Sequence, residues 1–121
     1  MPAPIRTDMD LIVSALAASS FRYSRETQLH LGIEQCLVAA GFEPKSEQRI
    51  TGGRIDFLVN RVGVEVKIKG TAADLLAQLV RYSVEESIDA LLVVTTRVRH
   101  RDLPRELNGK PVRVILIGGN L

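Results

Sequence analysis

Arg54-Ile55-Asp56-Phe57-Leu58-Val59-Asn60-Arg61-Val62-Gly63-Val64-Glu65-Val66-Lys67-Ile68 is the stretch that decides how this chain is read. Two runs rich in β-branched and apolar residues, Arg54 to Val59 and Val62 to Ile68, flank Asn60-Arg61, which has the length of a tight hairpin turn. Strand side chains alternate with period two, so Glu65 and Lys67 share a face while Val64, Val66 and Ile68 point into the core. A hairpin centred on Asn60-Arg61 sets Asp56 opposite Glu65, with Cβ atoms about 4.5–5.5 Å apart. Asp56, Glu65 and Lys67 then emerge from one face. Facing carboxylates repel unless something divalent lies between them. The competing reading is a solvated surface pair with Lys67 as its ion-pair partner, against which stands the cost of like charges directly opposed on a sheet. The pattern is that of a hard-metal site with a lysine beside it.

Upstream, Phe42 to Ile50 reads as a strand that is regular only from Lys45, because Pro44 interrupts it, and Thr51-Gly52-Gly53 reads as a turn. A helix from about Arg25 to Ala40 follows Ser24 as N-cap and closes at Gly41. Leu29, Ile33, Cys36, Leu37 and Ala40 form its apolar stripe. At about 100° per residue, Glu26 falls between Ile33 and Leu37, His30 sits at the edge of the stripe and Glu34 turns towards solvent. Glu26 is therefore the acid a core-facing site would use. Glu47, on the preceding strand, reads as an exposed acid or a further contributor. Residues 1–7 read as a flexible arm, followed by a short helix over 9–18 with a wide apolar surface suited to a partner subunit or to the chain's own core.

Downstream, Gly70-Thr71 opens a helix over about 72–86, with Leu75, Leu76, Leu79 and Val80 as its buried face and Gln78 and Tyr82 one turn apart on another. Ala90 to Thr95 is a continuous apolar run, as expected of a strand covered on both sides. A short helix over 102–107 and a strand over Val112–Ile117 complete the chain. Strand, helix and strand over 62–95 make a β-α-β crossover, so the expected fold is α/β, a mixed sheet flanked by helices. The expected organisation is an N-terminal arm and short helix over 1–24, a candidate oligomer contact, and one domain over 25–121.

With 121 residues the chain suits one modest core, and any recognition surface must belong to that core. No apolar run approaches the length of a membrane span, and residues 11–18 lack the basic flank of a signal peptide, so a cytoplasmic protein is expected. The single cysteine, Cys36, lies in an apolar stripe and reads as a structural thiol; a cysteine-built metal site is excluded. A net charge of +2 excludes nucleic-acid binding by bulk charge alone. The basic residues are nevertheless clustered. Arg97, Arg99, His100, Arg101 and Arg105 fall close together, and Lys69 leaves the site strand with Lys67. Beside a site acting on phosphodiesters, Lys69, Arg97, Arg99 and Arg101 become candidate phosphate contacts.

Asp56 and Glu65-x-Lys67 on a hairpin behind an acidic helix, followed by Gln78-x-x-x-Tyr82, resemble the PD-(D/E)xK nuclease superfamily, in particular its small RecB-like and phage-type members with a QxxxY motif. The resemblance spans residues 25–95. It implies a restriction-endonuclease-like αβββαβ core in which Asp56 and Glu65 bind Mg²⁺, with Mn²⁺ able to substitute. It also implies that Lys67 orients or activates the attacking water and that Gln78 and Tyr82 belong to the catalytic set. The family's upstream helix acid is matched best by Glu26, and His30 is its rival because RecB-like members carry a histidine ligand on that helix. The carbonyl of Val66 suits a further ligand position, since hard cations take backbone oxygen. One departure is Arg54-Ile55, where a proline often precedes the acid. The activity so implied is a Mg²⁺-dependent endonuclease acting on DNA, structure-directed or weakly sequence-specific, and working as a homodimer or higher homo-oligomer. Its rivals are a Holliday-junction-resolvase-like enzyme and a catalytically idle nuclease fold serving as a nucleic-acid-binding or assembly module.

Overall fold

Caps and glycines end the helices, and the strands between them assemble into one sheet. A computed structural model describes residues 3–118. Helix α1 spans Ala3–Ala17 and α2 spans Glu26–Ala39. Gln28 closes the start of α2 by accepting, through Oε1, from the Ser24 N–H at 2.6 Å and the Ser24 hydroxyl at 2.9 Å. Arg25, not Ser24, is thus the N-cap residue. Its far end is a Schellman motif: Gly41, at φ +94°, donates to Val38 O, and Phe42 donates to Leu37 O. Strands β1 (Lys45–Ile50), β2 (Gly53–Val59) and β3 (Val62–Lys67) follow, then α3 (Ala72–Tyr82), whose N-cap Thr71 accepts from the Asp74 N–H at 3.0 Å. Strand β4 (Ala90–Thr95), a 3₁₀ turn over Val98–His100, β5 (Glu106–Leu107) and β6 (Lys110–Leu116) complete the order.

The result is an α/β fold with a six-stranded mixed sheet in the order β1-β2-β3-β4-β6-β5. β1, β2 and β3 pair antiparallel, whereas β3, β4 and β6 run parallel. α1 and α2 cover one face: Ile5, Met9, Ile12, Leu16, Leu29, Ile33 and Leu37 pack with Phe57, Val59, Val64, Val66, Leu92 and Val94. α3 covers the other through Leu75, Leu79 and Tyr82, against Ile55, Leu58, Leu91 and Val93. β3 and β4 are therefore buried on both faces, which is why their sequences lack a polar alternation. Among the described residues no helix is long and apolar enough to cross a membrane.

Other sequence expectations change as well. The arm expected over 1–7 is helical from Ala3 among the described residues, and Ile5 is already buried in the core, so α1 begins at Ala3 instead of at residue 9. α3 ends at Tyr82, not 86, because the Ser83 hydroxyl turns back onto Val80 O at 2.7 Å and holds the chain off the helical path. Val80, expected inside, is 43% exposed; Tyr82 takes the buried position instead. The helix expected over 102–107 is absent, since Asn108 and Gly109, both at positive φ, turn β5 back onto β6 as a hairpin.

Candidate active site

The β2–β3 hairpin keeps the expected register, with Phe57 opposite Val64, Leu58 opposite Gly63 and Val59 opposite Val62. Beyond Phe57 the ladder stops. At the next position, where Asp56 and Glu65 would face each other, side chains replace the backbone bonds. Asp56 Oδ2 accepts from the Val66 N–H at 2.7 Å, and Glu65 Oε1 accepts from the Asp56 N–H at 3.3 Å. Each carboxylate is thereby pinned to the opposite strand. Val66 thus joins the site through its N–H, in addition to the carbonyl expected as a metal ligand.

Asp56 also marks an irregularity in its pairing with β1. The register Gln48 to Ile55 and Ser46 to Phe57 is constant, yet the intervening Glu47–Asp56 pair is missing and Glu47 sits at φ +51°. Ile55 packs on the α3 side of the sheet and Phe57 on the α1/α2 side. The simple alternation thus breaks at Asp56, so the expected single face is really a notch through the sheet that both helical layers reach. Such local distortions re-aim a side chain next to a site.

From the α2 side comes His30, whose Nε2 lies 3.7 Å from Asp56 Oδ2 and 3.6 Å from Glu26 Oε1. This nitrogen is buried and has no hydrogen-bond partner among the described residues. The His30 ring also rests against Phe57, with centroids 5.9 Å apart. Glu26, ranked first by helical angle, flanks His30 rather than replacing it. Glu47 joins His30 in lining a cavity of about 300 Å³ on this side. From the α3 side, Gln78 Nε2 donates to Tyr82 Oη at 2.8 Å, and Tyr82 Oη donates to Arg54 O at 2.9 Å. The pair is a tether that fixes β2 two residues before Asp56. Gln78 also lines a cavity of about 240 Å³ with Glu26, Lys67, Lys69 and Gly70.

Burial sets the electrostatics. Glu65 is 3% exposed, and desolvation first, then the charge of Asp56, pushes its carboxyl up to about 8. Lys67 Nζ, 3.6 Å from Glu65 Oε2, offsets this only in part. Asp56 is raised as well, mainly by burial, against the lowering effect of the Val66 N–H bond and of His30 and Lys67. Tyr82 is pushed up to about 12, by burial first and the Glu65 charge second, and so remains a donor. A solvated surface pair is therefore not what these acids form.

Among the described residues no group of three or more His, Cys, Asp or Glu side chains stands in a metal-holding arrangement. Mg²⁺ needs fewer, since one or two carboxylates and retained waters usually suffice. The Asp56 and Glu65 oxygens suit Mg²⁺ or Mn²⁺ in chemical type, and His30 Nε2 lies beside them without a hydrogen-bond partner among the described residues.

Sequence reading underrated one residue. His100, seen only as part of a basic run, is fully buried at the end of β4. Its Nε2 is 3.0 Å from Gly70 O, and its Nδ1 is 2.7 Å from Thr95 Oγ1, which in turn accepts from the Arg97 N–H at 3.1 Å. Because a carbonyl only accepts, Nε2 carries the proton towards Gly70 and the Thr95 hydroxyl donates to Nδ1. Arg97 Nε donates to Ile68 O at 2.7 Å and Arg99 Nε to Gly70 O at 2.9 Å. The 97–100 segment is thus strapped onto the chain leaving Lys67, with Lys69, Arg97 and Arg99 exposed beside it. Arg101 is exposed too but lines a separate cavity of about 450 Å³ with Leu103, Arg105 and Val112. Comparison with known proteins gives no matching family model, no matching curated protein and no matching solved structure.

Proposed function

We propose that the chain is a Mg²⁺-dependent endonuclease of the PD-(D/E)xK type that hydrolyses DNA phosphodiester bonds. The observation that carries this reading is the reciprocal pinning of Asp56 and Glu65 across the parted ends of β2 and β3. A buried carboxylate held against a half-buried one is costly unless a cation joins them. The order α2, β1, β2, β3, α3, β4 also follows the αβββαβ core of that superfamily.

Each residue then has a task. Asp56 and Glu65 would hold the metal, and the Val66 and Asp56 N–H groups fix the two carboxylates in place. Bound there, Mg²⁺ or Mn²⁺ supplies charge neutralisation on the phosphoryl oxygens and an acidified water as nucleophile. Lys67, held 3.6 Å from Glu65 Oε2, would place its ammonium to offset phosphate charge and orient the attacking water. His30 would offer Nε2 to the metal shell, and Glu26, 3.6 Å from that same nitrogen, sets the charge beside it. Gln78 and Tyr82 hold β2 in register with the site rather than touching the reacting atoms. Lys69, Arg97 and Arg99 meet phosphates beside the scissile one, and Arg101 lies farther along that surface. A homodimer supplies one site per strand of a duplex.

Purified protein incubated with Mg²⁺, Mn²⁺, Ca²⁺ or EDTA on linear, nicked, flapped, single-stranded and four-way DNA tests the reading. Cleavage is expected with Mg²⁺ and Mn²⁺ and not with EDTA. Strong preference for the four-way substrate would move the reading to a Holliday-junction resolvase, and binding without cleavage in any metal would leave an idle nuclease fold. Crystals soaked in Mn²⁺ should show anomalous density within about 2.0–2.3 Å of both Asp56 and Glu65; density only elsewhere sinks the assignment. Glu26→Gln and His30→Ala each lower turnover on the order of a hundredfold. His30→Ala is expected to cost at least as much, since His30 is the group in contact with Asp56.

A further inference from the structure

On the β1–β2 hairpin, Arg49 and Arg54 are direct cross-strand partners, and both are exposed. Like charges placed opposite each other on a sheet destabilise it. Neither guanidinium makes a hydrogen bond or ion pair among the described residues. The acids nearest along the chain do not pair with them. Glu85, which arrives at this turn, accepts from the Thr51 N–H at 2.8 Å and from the Ser87 hydroxyl at 3.4 Å, and Glu47, two residues before Arg49, forms no ion pair with it. Two forked, planar donors facing the same way are suited to an anion with several oxygens in reach, as a phosphodiester has.

Their place in the sheet says which anion. β1 ends and β2 begins at Ile50–Gly53, at the same end of the sheet where β3 delivers Glu65 and Lys67 and where β4 delivers Thr95. Along that edge lie, in order, Arg49 and Arg54 on β1 and β2, the acidic notch on β2 and β3, and Arg97 and Arg99 after β4. Three strand spacings are about 14 Å. A nucleic-acid strand advances about 3.4 Å per nucleotide along its duplex axis, so this edge matches roughly four steps.

We propose that Arg49 and Arg54 form a phosphate clamp that holds the DNA backbone on the side of the active site opposite Arg97 and Arg99, so that the bound strand runs across the sheet edge with the scissile phosphate between two basic walls. The proposal rests on the endonuclease reading for the identity of the ligand. It adds a second, separate basic wall built on the hairpin.

The test is fluorescence anisotropy of a labelled linear DNA duplex with the full chain in Ca²⁺, over a series of salt concentrations, together with melting temperatures. Arg49→Ala/Arg54→Ala should weaken binding about tenfold or more and lower the slope of log affinity against log salt by about two. Arg49→Lys/Arg54→Lys, which keeps the charge, should retain the slope. Because the alanine pair removes a repulsion, its melting temperature should hold or rise by about 1–4 °C at low salt. Unchanged affinity and slope in the alanine pair, while Arg97→Ala/Arg99→Ala binds weakly, overturns the clamp and leaves the nuclease reading standing. A lowered melting temperature with unchanged slope makes the pair structural and also overturns it. Wild-type protein that binds neither linear duplex nor flapped, single-stranded or four-way DNA overturns both.

Discussion

Glu65 is a carboxylate with a lysine 3.6 Å away and still a carboxyl pushed up to about 8, because burial costs its charge more than Lys67 returns. A proton held more tightly in the folded chain than in the unfolded one stabilises the fold below the ordinary carboxylate range. That contribution is lost as pH rises through about 8. Metal-free protein should therefore melt on the order of 5 °C lower at the alkaline end of this window than at its acidic end. Saturating Mg²⁺ should flatten or reverse the slope, since a cation favours the ionised pair, and Glu65→Gln should flatten it without metal. A metal-free melting profile that matches Glu65→Gln at every pH would show that this group does not titrate as its surroundings require. Lys67→Ala belongs to the same scale: cleavage should fall about a hundredfold or more while the melting temperature moves by no more than a few degrees. Loss of both together would make Lys67 a structural ion-pair partner instead. The closeness of Asp56, Glu65 and Lys67 was legible from the hairpin register, which holds as far as Phe57 and Val64, whereas the break in alternation at Asp56 was not, because periodicity assumes an unbroken strand. The contact between His30 and Asp56 was not, since helical angle ranks residues around one helix and says nothing of how deeply that helix docks on the sheet.

Tyr82 joins two elements. Its hydroxyl ties α3 to Arg54 O, and Gln78 ties back to that hydroxyl, so the QxxxY spacing serves as a brace between helix and strand. Tyr82→Phe keeps the packing but strands a strand-end carbonyl and removes the partner of Gln78, which should cost about 1–3 kcal/mol. Activity should fall along with stability, because β2 is held two residues before Asp56. Denaturant melts and turnover measured on the same preparation check this; full activity with an unchanged midpoint would make the brace idle. Where element boundaries were missed, a side chain had taken over backbone work. Ser83 ends α3 by bonding Val80 O, and Asn108 anchors the β5–β6 turn by donating to Ser83 Oγ at 2.7 Å. Asn108-Gly109 carried a hairpin signal in its own right, and reading a helix over 102–107 set it aside.

The sheet is one body closed by helices on both sides, and α1 is part of that closure. Ile5, Met9, Ile12 and Leu16 repeat at helical spacing, and each is nearly or wholly buried against α2, β3 and β4. From sequence this wide apolar surface suited a partner subunit as well as the chain's own core, because amphipathicity shows that a face will be covered and not by what. Within one chain, Val64, Val66, Leu92 and Val94 present an apolar sheet face on which residues of both α1 and α2 pack. Ile12→Ala, at a fully buried position in the middle of α1, should cost about 2–5 kcal/mol through lost transfer energy and the cavity left behind. For a chain of this size that is a fall in melting temperature on the order of 10 °C. The loss should be the same at low and high protein concentration, because the contact lies within one chain. A melting temperature close to wild type, with dimer lost by sedimentation, would instead assign α1 to an interface between copies. Charge at the same place gives a second reading of the result: Arg113 of β6 holds Asp10 of α1 at 2.8 Å on the exposed side. Exposed ion pairs contribute about 0–1 kcal/mol, so Asp10→Ala should barely move the melt, and the burden of holding α1 falls on its apolar face.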